Sequence, residues 1–157
     1  MSVECKTVLH AVPNLSDLTF VKLKFPRCIP RDLIENVKGR TFTPEQFYRF
    51  QEGQSHNPNN YLFGLVDEVK VIHGYLWAEK NYLDDSLFVN TFSITKGYWG
   101  KGQAIKVAIA FVADLKIKTE AKRVFWVTTN EKFFVKQGFK KSKNVLMEYN
   151  SDKTIEA

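Results

Sequence analysis

The sequence predicts one α/β domain built around a mixed β-sheet. Its 157 residues are enough for a single domain but not for two of ordinary size. Three strand candidates follow one another in the middle of the chain, which favours antiparallel pairing. A tight turn, an amphipathic helix and a further strand come next, and this order is typical of a parallel βαβ unit. We therefore predict a single domain over residues 1–157.

The first third of the chain predicts one strand and two helices. Residues 19–25 contain alternating apolar side chains, as a half-buried strand does. Residues 30–38 are typical of a short helix closed by a glycine. A second helix is predicted over residues 43–50, because Thr43 is a good N-cap and Gln46 stands at the capping-box position.

The middle of the chain predicts a loop followed by a hairpin. Residues 52–60 are polar and rich in turn residues, so we expect a mobile loop there. Residues 61–66 and 69–77 are strand candidates, and Asp67 and Glu68 between them predict a tight turn.

A third strand candidate covers residues 86–94. Simple alternation along this strand places Phe88, Asn90, Phe92 and Ile94 on one face.

The βαβ unit continues from the glycine-rich turn at residues 97–102. Residues 103–118 repeat apolar side chains with helical spacing. Residues 123–128 are almost continuously apolar, which is typical of a buried parallel strand. A short helix at residues 131–137 and a last strand at residues 145–149 complete the prediction.

Composition and charge limit the function classes. The chain has 23 Lys and Arg against 17 Asp and Glu, and the net charge of +6 favours polyanionic partners without specifying which. Two cysteines, Cys5 and Cys28, exclude a disulfide scaffold and a cysteine-based zinc site; one bridge between them is an option, and two free thiols are favoured. The N-terminal residues lack the pattern of a signal peptide, and no apolar run approaches the ~20 residues of a membrane span. We therefore expect a cytoplasmic protein.

The turn before the long helix is the most informative motif. Gly100 and Gly102 allow a close approach of the backbone, and the free amides at the helix start add positive charge together with Lys101. This predicts an anion site for a phosphate or pyrophosphate, with a plain strand-to-helix turn as the alternative. A dinucleotide fingerprint would need a third glycine, and a Walker loop would need Gly-Lys-Ser/Thr where Gly102 is followed by Gln103.

Residues 98–104, Tyr-Trp-Gly-Lys-Gly-Gln-Ala, resemble the acyl-CoA-binding motif of the GNAT N-acetyltransferase superfamily. That motif is commonly Arg or Gln, two residues, Gly, any residue, and Gly or Ala; here Trp99, Gly102 and Ala104 take the first, fourth and sixth places. The segment that begins at Asn130 resembles the family's Asn…Phe-Tyr-x-x-x-Gly-Phe segment. The order of elements also agrees, over residues 18–149.

The resemblance implies a fold, a cofactor and a reaction. The fold would be a mostly antiparallel sheet with a splayed parallel strand pair and helices on both faces. The cofactor would be acetyl-CoA, attacked directly by an amine while backbone donors stabilise the oxyanion. Its pantetheine arm would bind backbone groups in the gap between the splayed strands, and its pyrophosphate would bind the glycine turn. The residues implied in cofactor binding are Phe92, Ile94, Trp99, Gly100, Lys101, Gly102, Gln103, Ala104 and Asn130.

The sequence departs from the family pattern where catalytic groups are expected. The tyrosine often credited with protonating the departing thiolate aligns with Phe134, and the acidic residue on the fourth strand of some members aligns with Phe88. Glu79 is our candidate for the general base, and Asn90 and Ser93 are candidates for holding a water.

Each catalytic candidate also has a purely structural interpretation. Asp84 and Asp85 are further candidates for the base, although an acidic pair there is typical of a turn. Glu79 is more typical of a solvated charge at a strand end than of a base, whereas Asn90 and Ser93 are equally typical of polar residues that do no more than satisfy backbone groups.

The leading hypothesis is an acyl-CoA-dependent N-acetyltransferase that acts on a primary amine of a small molecule or a protein. We expect a monomer or a homodimer with no membrane association. One alternative is a catalytically weak or inactive GNAT-fold binding module. A second is a nucleic-acid-directed acetyltransferase that modifies a base or an aminoacyl-tRNA; a nucleic-acid partner is less favoured, because the charge alone supports it.

Overall fold

The computed structural model describes residues 13–37, 41–100, 102–128 and 130–143. Within these ranges the chain forms four α-helices and five β-strands. The helices are α1 (Arg31–Glu35), α2 (Pro44–Gly53), α3 (Gln103–Lys118) and α4 (Glu131–Lys136), and the strands are β1 (Thr19–Lys22), β2 (Asn60–Val66), β3 (Ile72–Asn81), β4 (Ser86–Ile94) and β5 (Arg123–Trp126). The predicted strand at residues 145–149 lies outside the described residues.

The backbone divides into two compact units between Val127 and Thr128. The first unit contains the sheet and α1 to α3. The second contains α4.

The sheet of the first unit has the strand order β1-β2-β3-β4-β5. The strands β1 to β4 pair in antiparallel fashion, and β5 pairs with β4 in parallel. The helix α3 connects these two parallel strands. The predicted mixed sheet with one parallel pair is therefore confirmed.

Each face of the sheet packs against its own helices. On one face α1 and α2 contribute buried side chains to a core that includes Leu33, Phe47, Tyr48 and Tyr75. We call this the α1/α2 face. On the other face, the α3 face, Ala108, Val112 and Leu115 pack against buried residues of β3 and β4. Helices on both faces were expected, and this expectation is confirmed.

The predicted start of α2 rests on local hydrogen bonds. The Thr43 side chain accepts from the Gln46 amide at 3.1 Å, and the Gln46 side chain accepts from the Thr43 amide at 2.8 Å, which makes a complete capping box. The helix α3 spans the residues that its spacing predicted, whereas α1 is shorter than predicted.

The hairpin between β2 and β3 differs from the prediction. Residues 67–71 connect the strands, because the Asp67 carboxylate accepts from the amides of Val69 and Val71 at 3.0 Å each and so organises a wider turn. As a result β3 starts late and runs on to Asn81, so Glu79 lies inside the strand and not at its end.

The strand β4 carries a β-bulge that the sequence prediction missed. Trp77 pairs with Thr91 and Ala78 pairs with Val89, which leaves Asn90 as an extra residue. Phe88 is therefore exposed on the α1/α2 face, while Phe92 and Ile94 pack on the α3 side. The prediction that Phe88, Asn90, Phe92 and Ile94 share one face is wrong for this reason.

Two further expectations need correction. The predicted mobile loop at residues 52–60 is shorter than expected, because α2 extends to Gly53 and β2 begins at Asn60. The Asn57 side chain holds the turn between them: it donates to Gln54 Oε1 at 2.7 Å and accepts from the Asn59 amide at 3.0 Å.

Cys28 is disulfide-bonded, so the prediction that favoured a free thiol is wrong at this position.

The described helices differ from membrane-spanning helices. None of them has both the length and the apolar character needed to cross a bilayer.

Candidate active site

Among the described residues, no strand pairs with the second half of β4 on the side away from β3, and we call this side the open edge of β4. The parallel ladder between β4 and β5 ends at the pair Val89 and Trp126, so the described β5 does not reach the last part of β4. The Thr95 amide donates to the His73 carbonyl at 2.9 Å, which makes the neighbouring Gly74 and Ile94 a non-hydrogen-bonded pair. The N–H and C=O groups of Ile94, and of Phe92 two residues earlier, therefore point away from β3.

The glycine turn connects this edge to α3. Gly100 and Gly102 have φ values of 116° and 70°, a region that favours glycine. Gly102 is the N-cap of this 16-residue helix, and as a glycine it has no side chain that could cap the first amides. Ala104 is buried beneath the turn and Gln103 is exposed. Lys101 lies outside the described residues.

Trp99 joins the turn to the end of β4. Its indole Nε1 donates to the Ile94 carbonyl at 2.8 Å, and the side chain remains half exposed. The Lys96 ammonium lies 5.7 Å from the centre of the indole ring, within the range of a cation–π contact. Sequence reasoning missed Lys96, although its spacing of three residues from Trp99 is the spacing that aligns side chains in a 3₁₀ turn.

Glu79 and Asn90 lie in direct contact. The Asn90 amide Nδ2 donates to Glu79 Oε1 at 2.9 Å, and both side chains are half-buried. The bulge makes this contact, because Asn90 is the extra residue of β4 beside the stretch of β3 that carries Glu79. The two residues were singled out separately from the sequence, and the structure brings them together.

The other catalytic candidates have structural partners. The Ser93 hydroxyl is buried and donates to the Leu33 carbonyl of α1 at 2.5 Å. Asp84 accepts from the Ser86 hydroxyl at 2.6 Å, and this bond is the main reason that the pKa of Asp84 lies below its ordinary value. Asp85 has a φ of 51°, as a turn residue does, and forms an ion pair with Lys122 at 3.8 Å.

The second unit holds the remaining predicted contact residue. Asn130 is the N-cap of α4, and its side chain accepts from the Phe133 amide at 3.3 Å. Phe134, at the position aligned with the family tyrosine, is buried, and its ring contacts those of Phe133 and Phe139 edge-on. Phe134 is thus part of the apolar packing of this unit and carries no proton to donate.

Comparison with known proteins supports the fold. Neither a protein-family model nor a curated protein sequence matches the chain. A glucosamine-6-phosphate N-acetyltransferase from Arabidopsis thaliana matches at 22% identity and a TM-score of 0.59, over 86% of this chain and 99% of that one. A GNAT family acetyltransferase from Staphylococcus aureus matches at 12% identity and a TM-score of 0.64, over 85% and 99%. An aminoglycoside N-acetyltransferase in complex with CoA matches at 14% identity and a TM-score of 0.62, over 86% and 94%.

These matches define a class. The chain has a mixed-sheet α/β fold that solved acetyltransferases share over nearly their whole length. That fold is the GNAT fold, as the sequence motifs led us to expect.

Proposed function

We propose that the chain is an acyl-CoA-dependent N-acetyltransferase that transfers acetyl from acetyl-CoA to a primary amine by direct attack. The open edge of β4 is the main support. Beyond the last β4–β5 pair, the backbone groups of Phe92 and Ile94 point outward, and the strand leads directly into the glycine turn. A fold match to an enzyme in complex with CoA supports the same cofactor.

The residues at this edge fit the cofactor. A pantetheine arm is an extended chain with amide groups, and such a chain can bind an exposed strand edge as an added strand. Phe92 would bind it through its N–H and C=O groups and Ile94 through its N–H, since the Ile94 carbonyl already accepts from Trp99. A Cβ built on Gly100 meets no other atom within 4 Å, so the turn leaves room beside its backbone. The uncapped amides of Gln103 and Ala104 would bind the pyrophosphate.

Glu79 would act as the general base. Acetyl-CoA supplies the acetyl group as a reactive thioester when it is bound. The Glu79 carboxylate would accept a proton from the attacking amine, directly or through one water, and Asn90 would hold the carboxylate in place by its 2.9 Å hydrogen bond. Phe134 has no acidic proton, so solvent would have to protonate the departing sulfur.

Calorimetry with acetyl-CoA tests the cofactor assignment. We expect one binding site per chain in the wild type, and no heat of binding would refute the proposal. Gly102→Asp should weaken binding strongly, because it places a negative charge beside the phosphates. Gly102→Asn is the matched control: it has the same shape and also tolerates a positive φ, but it is neutral. Equal affinities of the two variants would refute the pyrophosphate assignment.

Two alternative functions have their own tests. The phenylalanines at positions 88 and 134 support a binding module without turnover. This alternative predicts acetyl-CoA binding with no release of free thiol in the presence of any amine.

The net charge of +6 is the support for a nucleic-acid-directed enzyme. It predicts mobility shifts with tRNA or DNA that weaken as salt rises, and unshifted mobility at low salt would exclude it.

A further inference from the structure

Four side chains form a continuous row across the sheet. Asn60 of β2 pairs with Glu79 of β3, Glu79 pairs with Phe88 of β4, and Phe88 pairs with Phe125 of β5. Directly paired residues on neighbouring strands present their side chains on the same face. An amide, a carboxylate and two phenyl rings are thus side by side.

This row lies on the α1/α2 face. The residues that flank its members along the strands belong to the core of the α3 face; they are Tyr61, Ala78, Leu87, Val89, Val124 and Trp126. Because side chains alternate along a strand, the row itself points to the opposite face.

The aromatic part of the row is accessible. Phe88 is 38% exposed, and Phe125 and Glu79 are half-buried. On the same face Trp77, two residues before Glu79 on β3, is already covered by Phe47 and Phe50 of α2 at 5.9 and 5.4 Å between ring centres. Among the described residues, α2 thus covers the sheet at Trp77, while Phe88 in the row stays exposed.

Glu79 is the member of the row that can bind a further polar or charged group. Both polar atoms of the Asn60 side chain already have partners, since Nδ2 donates to Gln51 and Oδ1 accepts from Trp77, both at 2.8 Å. Glu79 accepts through Oε1 from Asn90 only, and among the described residues no cation forms an ion pair with it. The row thus offers one carboxylate next to two phenyl rings, of which Phe88 is exposed and Phe125 already lies 5.0 Å from the Arg123 guanidinium.

We propose that the acceptor is a primary amine that carries an aromatic ring two carbons from the nitrogen. This inference rests on the proposed function and specifies its substrate. The ammonium would bind the Glu79 carboxylate, and the ring would lie on Phe88 with Phe125 beyond it. Neighbouring strands are about 4.8 Å apart, and a two-carbon spacer covers a similar distance between an amine and the centre of a ring. A hydroxylated amine would gain nothing from the phenyl rings and would lose hydration of its hydroxyl groups there.

Acetyl transfer to phenethylamine and to ethanolamine tests the inference, with thiol release as the readout. We expect kcat/KM to be at least about 10-fold higher for phenethylamine. Phe88→Ala should lower kcat/KM for phenethylamine about 10-fold and for ethanolamine less than 2-fold, since only the first amine buries a ring on Phe88. Tyr82→Ala removes an exposed aromatic outside the row and is the matched control, with no effect on either amine. Equal use of both amines, or equal losses in Phe88→Ala, would overturn the inference.

A binding measurement separates this inference from the proposed function. Saturation-transfer NMR on the full chain detects phenethylamine binding without any chemistry. If acetyl-CoA binds but releases no free thiol with any amine, the enzyme proposal fails. Magnetic saturation of the phenethylamine ring that disappears in Phe88→Ala would still support the aromatic site. If acetyl-CoA releases free thiol with other amines but phenethylamine receives no saturation, the enzyme proposal stands and this inference is refuted.

Discussion

Glu79 is the residue on which the proposed chemistry depends. The sequence singled it out as a carboxylate near the end of a strand, with a solvated surface charge as the alternative. The structure adds two features that a sequence pattern does not contain: Asn90 holds one carboxylate oxygen, and Phe88 is its direct neighbour on β4. A carboxylate on β3 therefore lies beside the position where some family members have an acid on β4. Cross-strand register created this proximity, and register depends on a bulge that composition does not reveal.

Replacement of Glu79 by Gln should remove the general base and keep the shape of the side chain. We expect kcat/KM to fall by about 10²-fold or more, with acetyl-CoA affinity unchanged. Steady-state kinetics with a fixed amine and calorimetry with acetyl-CoA measure the two quantities. Glu68→Gln, at an exposed carboxylate of the hairpin turn, is the control and should retain full activity. Activity of Glu79→Gln equal to that of the control would contradict the assignment of the base.

The turn of the β2–β3 hairpin is built around one buried carboxylate. Asp67 is buried in its turn and bonds His73 Nε2 at 2.9 Å in addition to two backbone amides. Burial raises the pKa of Asp67, but the hydrogen bond to His73 and those from the amides of Val71 and Val69 outweigh it, so the pKa lies below its ordinary value of 3.8. The charged form of Asp67 thus stabilises the folded hairpin.

Asp67→Asn should therefore lower stability in a pH-dependent way. At pH 7 we expect the free energy of unfolding to fall by about 1–3 kcal/mol, because bonds to a charged group are lost. A group with a depressed folded pKa contributes its stability above its unfolded pKa and loses it as the pH falls through the folded value. The difference between variant and wild type should therefore shrink below about pH 4.

Urea unfolding at pH 7 and at pH 3 measures this difference. Asp114→Asn, at an exposed position of α3, is the control and should change stability little at either pH. A penalty for Asp67→Asn that is the same at both pH values would show that the charge of Asp67 is not the cause.

At the scale of the whole molecule, the strong periodic signals predicted the architecture well. The helix α3, the capping box of α2 and the parallel strand pair follow from spacing, capping residues and apolar runs in the sequence. The departures have local physical causes. The Asp67 carboxylate widened the turn of the β2–β3 hairpin. The extra residue Asn90 changed which side chains in the second half of β4 point to the α3 face. Neither cause changes hydrophobic periodicity enough to be seen without the partner strand.

The basic charge of the chain also belongs to this scale. The net charge of +6 attracts many anions, so phosphate binding alone would say little about a cofactor site. A specific site for acetyl-CoA should instead need both the phosphates and the pantetheine arm.

Thermal unfolding with acetyl-CoA tests this distinction. At a concentration of 100 times its Kd, acetyl-CoA should raise the free energy of unfolding by about 2.7 kcal/mol. For a chain of this size, that raises the midpoint of thermal unfolding by about 5–10 °C. ATP has phosphates but no pantetheine arm and should give a much smaller shift at the same concentration. Equal shifts with the two ligands would indicate general anion binding to a basic surface.

The bulge at Asn90 also affects how β4 can vary during evolution. Before the bulge, the side chains that face α3 are at odd positions, Leu87 and Val89; after it, they are at even positions, Phe92 and Ile94. The apolar requirement is thus out of phase between the two halves of one strand. A substitution in β4 should be tolerated when it keeps apolar side chains at the positions that face α3. A single insertion or deletion would instead alter the bulge itself, and with it the contact between Asn90 and Glu79. We therefore expect the length of β4 to be under stronger selection than most of its individual residues.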